Sequence, residues 1–406
     1  MWSVTVVAQI HSRAVAIIMA GLLAAAFLLW GGGVAAQTFE TRAKQAFLMD
    51  AETGAVLYAK NADDLMVPAS MAKIMTVEVI AEEMRRGRIT DETEFVISED
   101  AWRRGGAPSR GSTMFAELGS AIQLWELLRG IIVHSGNDAA IAAAETIAGS
   151  EGAFGRMMTQ RARELGLNRS FFTNATGFHD PDQVTTAREL ALLTRHFIET
   201  SPEIYAVYAE EEFTWNNIRQ RNRNPLLTMG IGADGVKTGY VSESGYGLVG
   251  SAVQLDQRLI LVVNGLESAR DRAIEARRLL EWGFRAFEPR QLFEAGEMVG
   301  HARVFGGEAN YVPLVAHAPV RVLLPRGTDE RLSARIVYRG PLPVPVREGD
   351  EVGVIQVMRG DALALEAPLF ASENVDQGTL TQRALDALWE LGSGAVRRAI
   401  FGSENG

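Results

Sequence analysis

The sequence has no cysteine. A disulfide, a thiol nucleophile and any cysteine metal site are therefore excluded. Its six histidines are scattered, with no HExxH or comparable ligand spacing, so neither a metal site nor a cofactor is expected. There is no GxSxG elbow, which argues against Ser-His-Asp hydrolysis through His134 or His179. Acids are missing from the first 36 residues, whose one basic residue is Arg13. Beyond them no long apolar run occurs. Lysine is nearly as scarce: Lys44, Lys60, Lys73 and Lys237 are the four among 40 basic residues. One of the four, Lys73, lies inside an apolar run, where a general preference for arginine does not explain it.

The acid-free start reads as a secretory signal over residues 1–36. An apolar run from Ala14 to Trp30 is short for a membrane span, and small residues at Val34 and Ala36 fit cleavage before Gln37. Removing that segment changes the net charge from −10 to −11. So acidic a surface argues against nucleic-acid binding.

Residues 45–59 predict strand, turn and strand about Gly54. Helices are expected from MAKIMTVEVIAEEMRRG up to Gly87, across 122–148 with a break at Ser135-Gly136, and at 152–165, 185–200 and 271–287. Residues 245–266 read as two strands turning near Asp256. The domain at 37–288 is thus expected to be α+β, an antiparallel sheet with helices whose strands come from both ends of the segment. After Pro289 short alternating runs such as RVLLP, ARIVYRG and EVGVIQVM predict a small all-β domain, a sandwich over 291–377. The tail at 378–406 reads as an amphipathic helix interrupted by Gly392 and Gly394.

Three short elements carry chemistry. In PASMAK, Ser70 and Lys73 lie three apart, on one face of a helix and at its N-terminus. Serine needs a base before it attacks, and lysine serves if burial or a nearby cation lowers its pKa. Arginine does not deprotonate, so a base here has to be lysine. An N-capping serine beside a snorkelling lysine is the plain alternative. In HSGND, Ser135 offers a proton relay and Asn137 a carboxamide for a substrate amide, or the segment simply punctuates two helices. In DGVKTGYV, at the expected start of a strand, Lys237, Thr238 and Gly239 offer a carboxylate-binding edge open to close backbone approach. Lys237 would also lower the pKa of Lys73 if the two meet.

The order SxxK, SxN, KTG resembles the penicillin-interacting serine transferases, and among them the D-alanyl-D-alanine carboxypeptidases of the low-molecular-mass penicillin-binding proteins. AETGAVLYAKNAD, HSGNDAAIAAAETIAGS, ARELGLNRSFFTNATGF and DGVKTGYVSESGYGLVGSA also read like that family. The resemblance implies a β-lactamase/transpeptidase-like fold, with Ser70 as acylated nucleophile and Lys73 as its base. Ser135 and Asn137 would be the second element, and Lys237, Thr238 and Gly239 the third. The N–H groups of Ser70 and Tyr240 would form an oxyanion hole, and Arg223 and Arg272 would lie near the substrate carboxylate. Where many members carry histidine after KTG, this chain has Tyr240. The implied partners are peptidoglycan stem peptides and β-lactam antibiotics, and the implied site of action is the periplasm.

Competing readings remain. A serine β-lactamase would use a glutamate-held water, and ELGLN at 164–168 fits that spacing; Glu164 at a helix end capped by Gly166 is the plainer account. A D,D-endopeptidase or a catalytically silent wall-binding protein would keep the same fold. In the tail Leu380, Ala384, Leu388, Leu391 and Ala395 form an apolar stripe, suited to the outer face of the cytoplasmic membrane or to docking on the β domain.

Overall fold

The computed structural model describes residues 39–327, 332–359 and 362–384. The expected signal segment lies outside the described residues. So does most of the expected tail helix, of which residues 380–384 are helical.

A five-stranded antiparallel sheet in the order β2-β1-β9-β8-β7 organises the first domain. β1 (Gln45–Asp50) and β2 (Val56–Lys60) form the hairpin expected there, with Gly54 turning it at φ +74°. Two ribbons follow within the helical region: β3 (Glu94–Val96) with β4 (Ala121–Gln123), and β5 (Glu212–Trp215) with β6 (Ile218–Arg221). β7 (Ala233–Val241), β8 (Gly245–Gln254) and β9 (Gln257–Leu266) complete the sheet, and β9 pairs with β1 from Gln45↔Asn264 to Asp50↔Leu259. β8 and β9 are buried along most of their length because helices cover both faces of the sheet, and their sequences are correspondingly apolar.

The helices are α1 (Lys73–Arg85), α2 (Leu124–Ile132), α3 (Asn137–Ala148), α4 (Glu151–Glu164), α5 (Ala187–Thr200), α6 (Pro202–Ala206) and α7 (Ala269–Ala286). α1 is buried from Lys73 to Ala81, as an all-round apolar helix should be. The alanines of α3 leave little side chain in the way, and a Cβ on Gly105 would stand 2.3 Å from the Asp138 nitrogen. The break at Ser135-Gly136 falls where the sequence places it. The KTG triplet, however, lies in the middle of β7 rather than at its start. Asp234 and Gly235 look like turn residues, but the strand runs through them: Gly235 pairs with Ser251 of β8, Asp234 falls at an irregularity in the register, and Arg258 pairs with its carboxylate at 2.6 Å. ELGLN closes α4: Gly166 takes φ +76°, and Glu164 pairs with Arg161 at 3.2 Å.

The second domain is all-β. β10 (Phe287–Phe293) follows α7 directly and pairs with β13 (Val320–Pro325). β11 (Met298–Phe305), β12 (Tyr311–Val315), β14 (Leu332–Tyr338), β15 (Leu342–Pro343), β16 (Glu351–Arg359) and β17 (Ala362–Ala371) make a six-stranded sheet. Val304, Val312, Leu314, Val322, Leu324, Ile355, Val357 and Leu369 from both sheets share one core.

One buried ion cluster ties α1 to α4. Glu78 is fully buried and accepts from Arg85 at 2.9 Å and Arg161 at 2.8 Å, with His196 at 3.4 Å. Burial works to raise its pKa, but the hydrogen bonds from His196 and Arg161 and the charge of Arg85 outweigh this and hold it below 4.5. The stabilisation is therefore complete above pH 4.5 and is lost as pH falls through the depressed folded value. Glu78→Ala should lower the unfolding free energy by about 3 kcal/mol at neutral pH in denaturant titrations, and should flatten the acid limb of stability against pH. Unchanged stability would show that the cluster is incidental.

Candidate active site

Pro68 leads into Ala69, whose φ of +49° is strained for a residue with a side chain. That conformation starts a 3₁₀ turn over Ala69–Ala72, which runs straight into α1. Ser70 is on the turn and Lys73 is the first residue of the helix, so hydroxyl and amine face each other at 3.3 Å. Gly177, at φ +80°, packs against the same turn; a Cβ there would sit 2.0 Å from the Ala69 carbonyl oxygen.

The Lys73 side chain is completely buried. Its Nζ donates to Asn137 Oδ1 at 2.7 Å and to the Thr176 carbonyl at 2.5 Å. A neutral amine has two N–H bonds and one lone pair. The two carbonyl acceptors can take the hydrogens, which leaves the lone pair for the Ser70 hydroxyl. Burial lowers the pKa of this amine to about 7, and the charge of Arg223 adds to that, against the pull of Glu151 and Asp138.

The second element sits on the turn between α2 and α3. Ser135 has φ +59°, and its Oγ is buried with no hydrogen-bond partner. Asp138, fully buried, accepts from Thr113 Oγ1 at 2.6 Å and from the N–H groups of Met114 at 2.9 Å and Ala116 at 3.2 Å. It thereby pins the neighbouring loop, while Asn137 N–H donates to the Ser112 carbonyl. The ring of His134 is held by the Phe213 carbonyl at 2.9 Å and Gln220 at 3.0 Å, so it is not turned to a serine.

The third element is the free edge of β7. Lys237 is 3% exposed and donates to the Thr238 carbonyl at 3.3 Å. Burial lowers its pKa strongly, as do the charges of Lys73, Arg223 and Arg272. The expected meeting of the two lysines occurs, and the charge of Lys73 lowers the pKa of Lys237; on Lys73 itself the cation that counts is Arg223. A Cβ at Gly239 would stand 2.8 Å from the Pro68 carbonyl, so only glycine lets this strand lie against the serine turn. Tyr240 is 54% exposed and stacks on Tyr246 with centroids 4.2 Å apart.

A cavity of about 480 Å³ is lined by Ser70, Ser112, Ser135, Arg223, Thr238, Gly239, Tyr240, Tyr246 and Arg272. Lys73 and Lys237 lie beneath its wall. Three distant stretches thus meet as the sequence predicts, and both arginines join them. Sequence reasoning missed Ser112, which has no local signal. It also missed the loop at 174–178. There Asn174 Oδ1 accepts from Thr176 Oγ1 and from the N–H groups of Gly177 and Phe178, and so aims the Thr176 carbonyl at Lys73. The NATG string is a legible turn signal. Among the described residues no group of three or more His, Asp and Glu side chains is placed to hold a metal ion.

A serine with a buried amine that can lose its proton near neutral pH, a second buried hydroxyl and a cationic rim can carry out acyl transfer on an anionic substrate. The comparisons agree. Residues 33–268 match the family model described as D-alanyl-D-alanine carboxypeptidase, and residues 287–377 match that of the penicillin-binding protein 5 C-terminal domain. The chain belongs to the D-alanyl-D-alanine carboxypeptidase family. It is 38% identical over 358 residues to carboxypeptidase DacC of Escherichia coli strain K12, covering 87% of this chain and 90% of that one. It is 38% identical over 311 residues to DacA of Haemophilus influenzae, covering 76% and 79%. The crystal structure of penicillin-binding protein 5 from H. influenzae superposes with a TM-score of 0.75 at 36% identity, covering 85% of this chain and 100% of that one.

Gly177→Ala should displace the serine turn and slow acylation of Ser70 by penicillin by about a hundredfold. Gly149→Ala, at φ +76° with open space around it, serves as control and should leave the rate near normal. Equal rates in both variants would remove Gly177 from the account.

Proposed function

We propose that this chain is a serine-type D-alanyl-D-alanine carboxypeptidase that removes the terminal D-alanine of peptidoglycan pentapeptide stems. The observation that carries this reading is the buried Lys73 amine, with a pKa near 7, in reach of Ser70 beside Arg223 and Arg272, which no carboxylate pairs among the described residues. Lys73 takes the Ser70 proton as Oγ attacks the penultimate carbonyl carbon. The backbone N–H groups of Ser70 and Tyr240 stabilise the resulting oxyanion. The C–N bond then breaks, and Ser135 passes a proton to the departing amine of D-alanine. Water hydrolyses the acyl-serine and restores the hydroxyl. Lys237, Thr238, Arg223 and Arg272 receive the terminal carboxylate. Asn137 spends its Oδ1 on Lys73, so only its N–H₂ remains for a substrate carbonyl.

Penicillins enter the same site and acylate Ser70. Rapid drug hydrolysis is disfavoured because Glu164 lies in a separate groove with Glu82, Arg86 and Arg161, engaged in ion pairs. The acid-free apolar start supports export to the periplasm, and the tail stripe supports peripheral contact with the outer face of the cytoplasmic membrane. Among the described residues no helix is long and apolar enough to cross a membrane.

Intact-protein mass spectrometry after penicillin treatment should show one acyl adduct, absent in Ser70→Ala. Lys73→Arg keeps the charge and loses the base, so its acylation rate should fall by about 10²–10⁴-fold. An adduct that persists in Ser70→Ala, or near-normal acylation of Lys73→Arg, would overturn the assignment.

A further inference from the structure

Arg272 occupies a costly position. It is the fourth residue of α7, where the helix dipole disfavours a cation. Its Nε is buried without a hydrogen-bond partner. Among the described residues no carboxylate pairs with it, and Arg223 adds a second positive charge nearby. The group that faces it is an aromatic ring: the guanidinium carbon lies 5.7 Å from the centroid of Tyr246. Tyr246 in turn is stacked by Tyr240 at 4.2 Å with 31° between the rings. All three side chains line the cavity that holds Ser70.

A guanidinium lying over a ring is attracted through its face, while the N–H groups in its plane stay free to donate. The ring thus supplies attraction without using up the fork, which an aspartate or glutamate in the same place would do. Tyr240 packs against Tyr246 with ring centroids 4.2 Å apart and limits how that ring can turn. Its register fixes the pair, because Tyr240 is directly opposite Tyr246 across β7 and β8.

We infer that Tyr246, held by Tyr240, is a positioning residue that aims Arg272 into the cavity and thereby sets the preference for substrates ending in a free carboxylate over those whose end is amidated or extended. The inference rests on the carboxypeptidase reading above. It assigns to Tyr246 the selection between a terminal carboxylate and a blocked end, and to Tyr240 the support of that selection in place of a side-chain role in the chemistry.

The test compares kcat/KM for a D-Ala-D-Ala-terminated peptide with that for its C-terminal amide, within each variant, so that a uniform loss of activity cancels. In the wild type the carboxylate should be favoured. Tyr246→Leu keeps apolar bulk and removes the π face, and should lower the carboxylate-to-amide ratio about tenfold, chiefly through KM for the carboxylate peptide. Tyr246→Met serves in its place should the leucine variant not fold, with the same expectation. Tyr246→Phe keeps the π face and should retain the wild-type ratio; Tyr240→Ala should fall between. An unchanged ratio in the leucine or methionine variant, or a lost ratio in the phenylalanine variant, would overturn the proposal. A wild type that cleaves neither peptide would instead refute the carboxypeptidase reading itself.

Discussion

The site depends on keeping one lysine amine out of water, so that it can be uncharged near neutral pH. Depression of the Lys73 pKa from 10.5 to about 7 corresponds to a bias of about 5 kcal/mol toward the neutral form. Burial supplies most of it and Arg223 adds to it. An ammonium buried without an acid would ordinarily be avoided, and here the neutral form has a matching set of partners. Asn137 and the Thr176 carbonyl take two hydrogens, and the Ser70 hydroxyl faces the lone pair. The surrounding architecture can be understood as what holds those three partners in place.

Each partner comes from a different part of the chain. Ser70 is fixed by a turn that starts at the strained Ala69 and is backed by Gly177 and Gly239. Asn137 is held by α3, whose first turn is locked by the buried Asp138 through the loop at 113–116. Thr176 is aimed by the Asn174 turn. β7 closes the fourth side, and the sheet that carries it is tied together by the pairing of β9 with β1. Two non-glycine residues with positive φ belong to this region: Ser135 lines the cavity and Ala69 immediately precedes Ser70, and the packing around them holds the backbone strain.

Much of this was legible in the sequence because the chemistry restricts residue type. A cationic side chain that is to act as base beside a serine has to be lysine rather than arginine, and the scarcity of lysine elsewhere makes Lys73 and Lys237 conspicuous. The α+β class, the helix break at Ser135-Gly136 and the all-β second domain follow from periodicity and glycine placement. Less legible were contacts made by backbone rather than side chain. The Thr176 carbonyl carries no residue-type signal, and the interior position of KTG in β7 was hidden by the turn-like Asp234 and Gly235. The burial of Glu78 and Asp138 also escaped, since an acid on an apolar helix looks the same in sequence whether it is paired inside or solvated outside.

The small number of lysines permits a direct measurement. With Lys44, Lys60, Lys73 and Lys237 the four lysines of the chain, NMR of isotope-labelled lysine side chains can follow each amine through a pH titration, with Lys73→Arg assigning the signal. The account predicts that the Lys73 signal titrates near pH 7. A Lys73 midpoint near the ordinary value of 10.5 would contradict it, because the amine would then be a charged ornament beside Ser70 rather than its base.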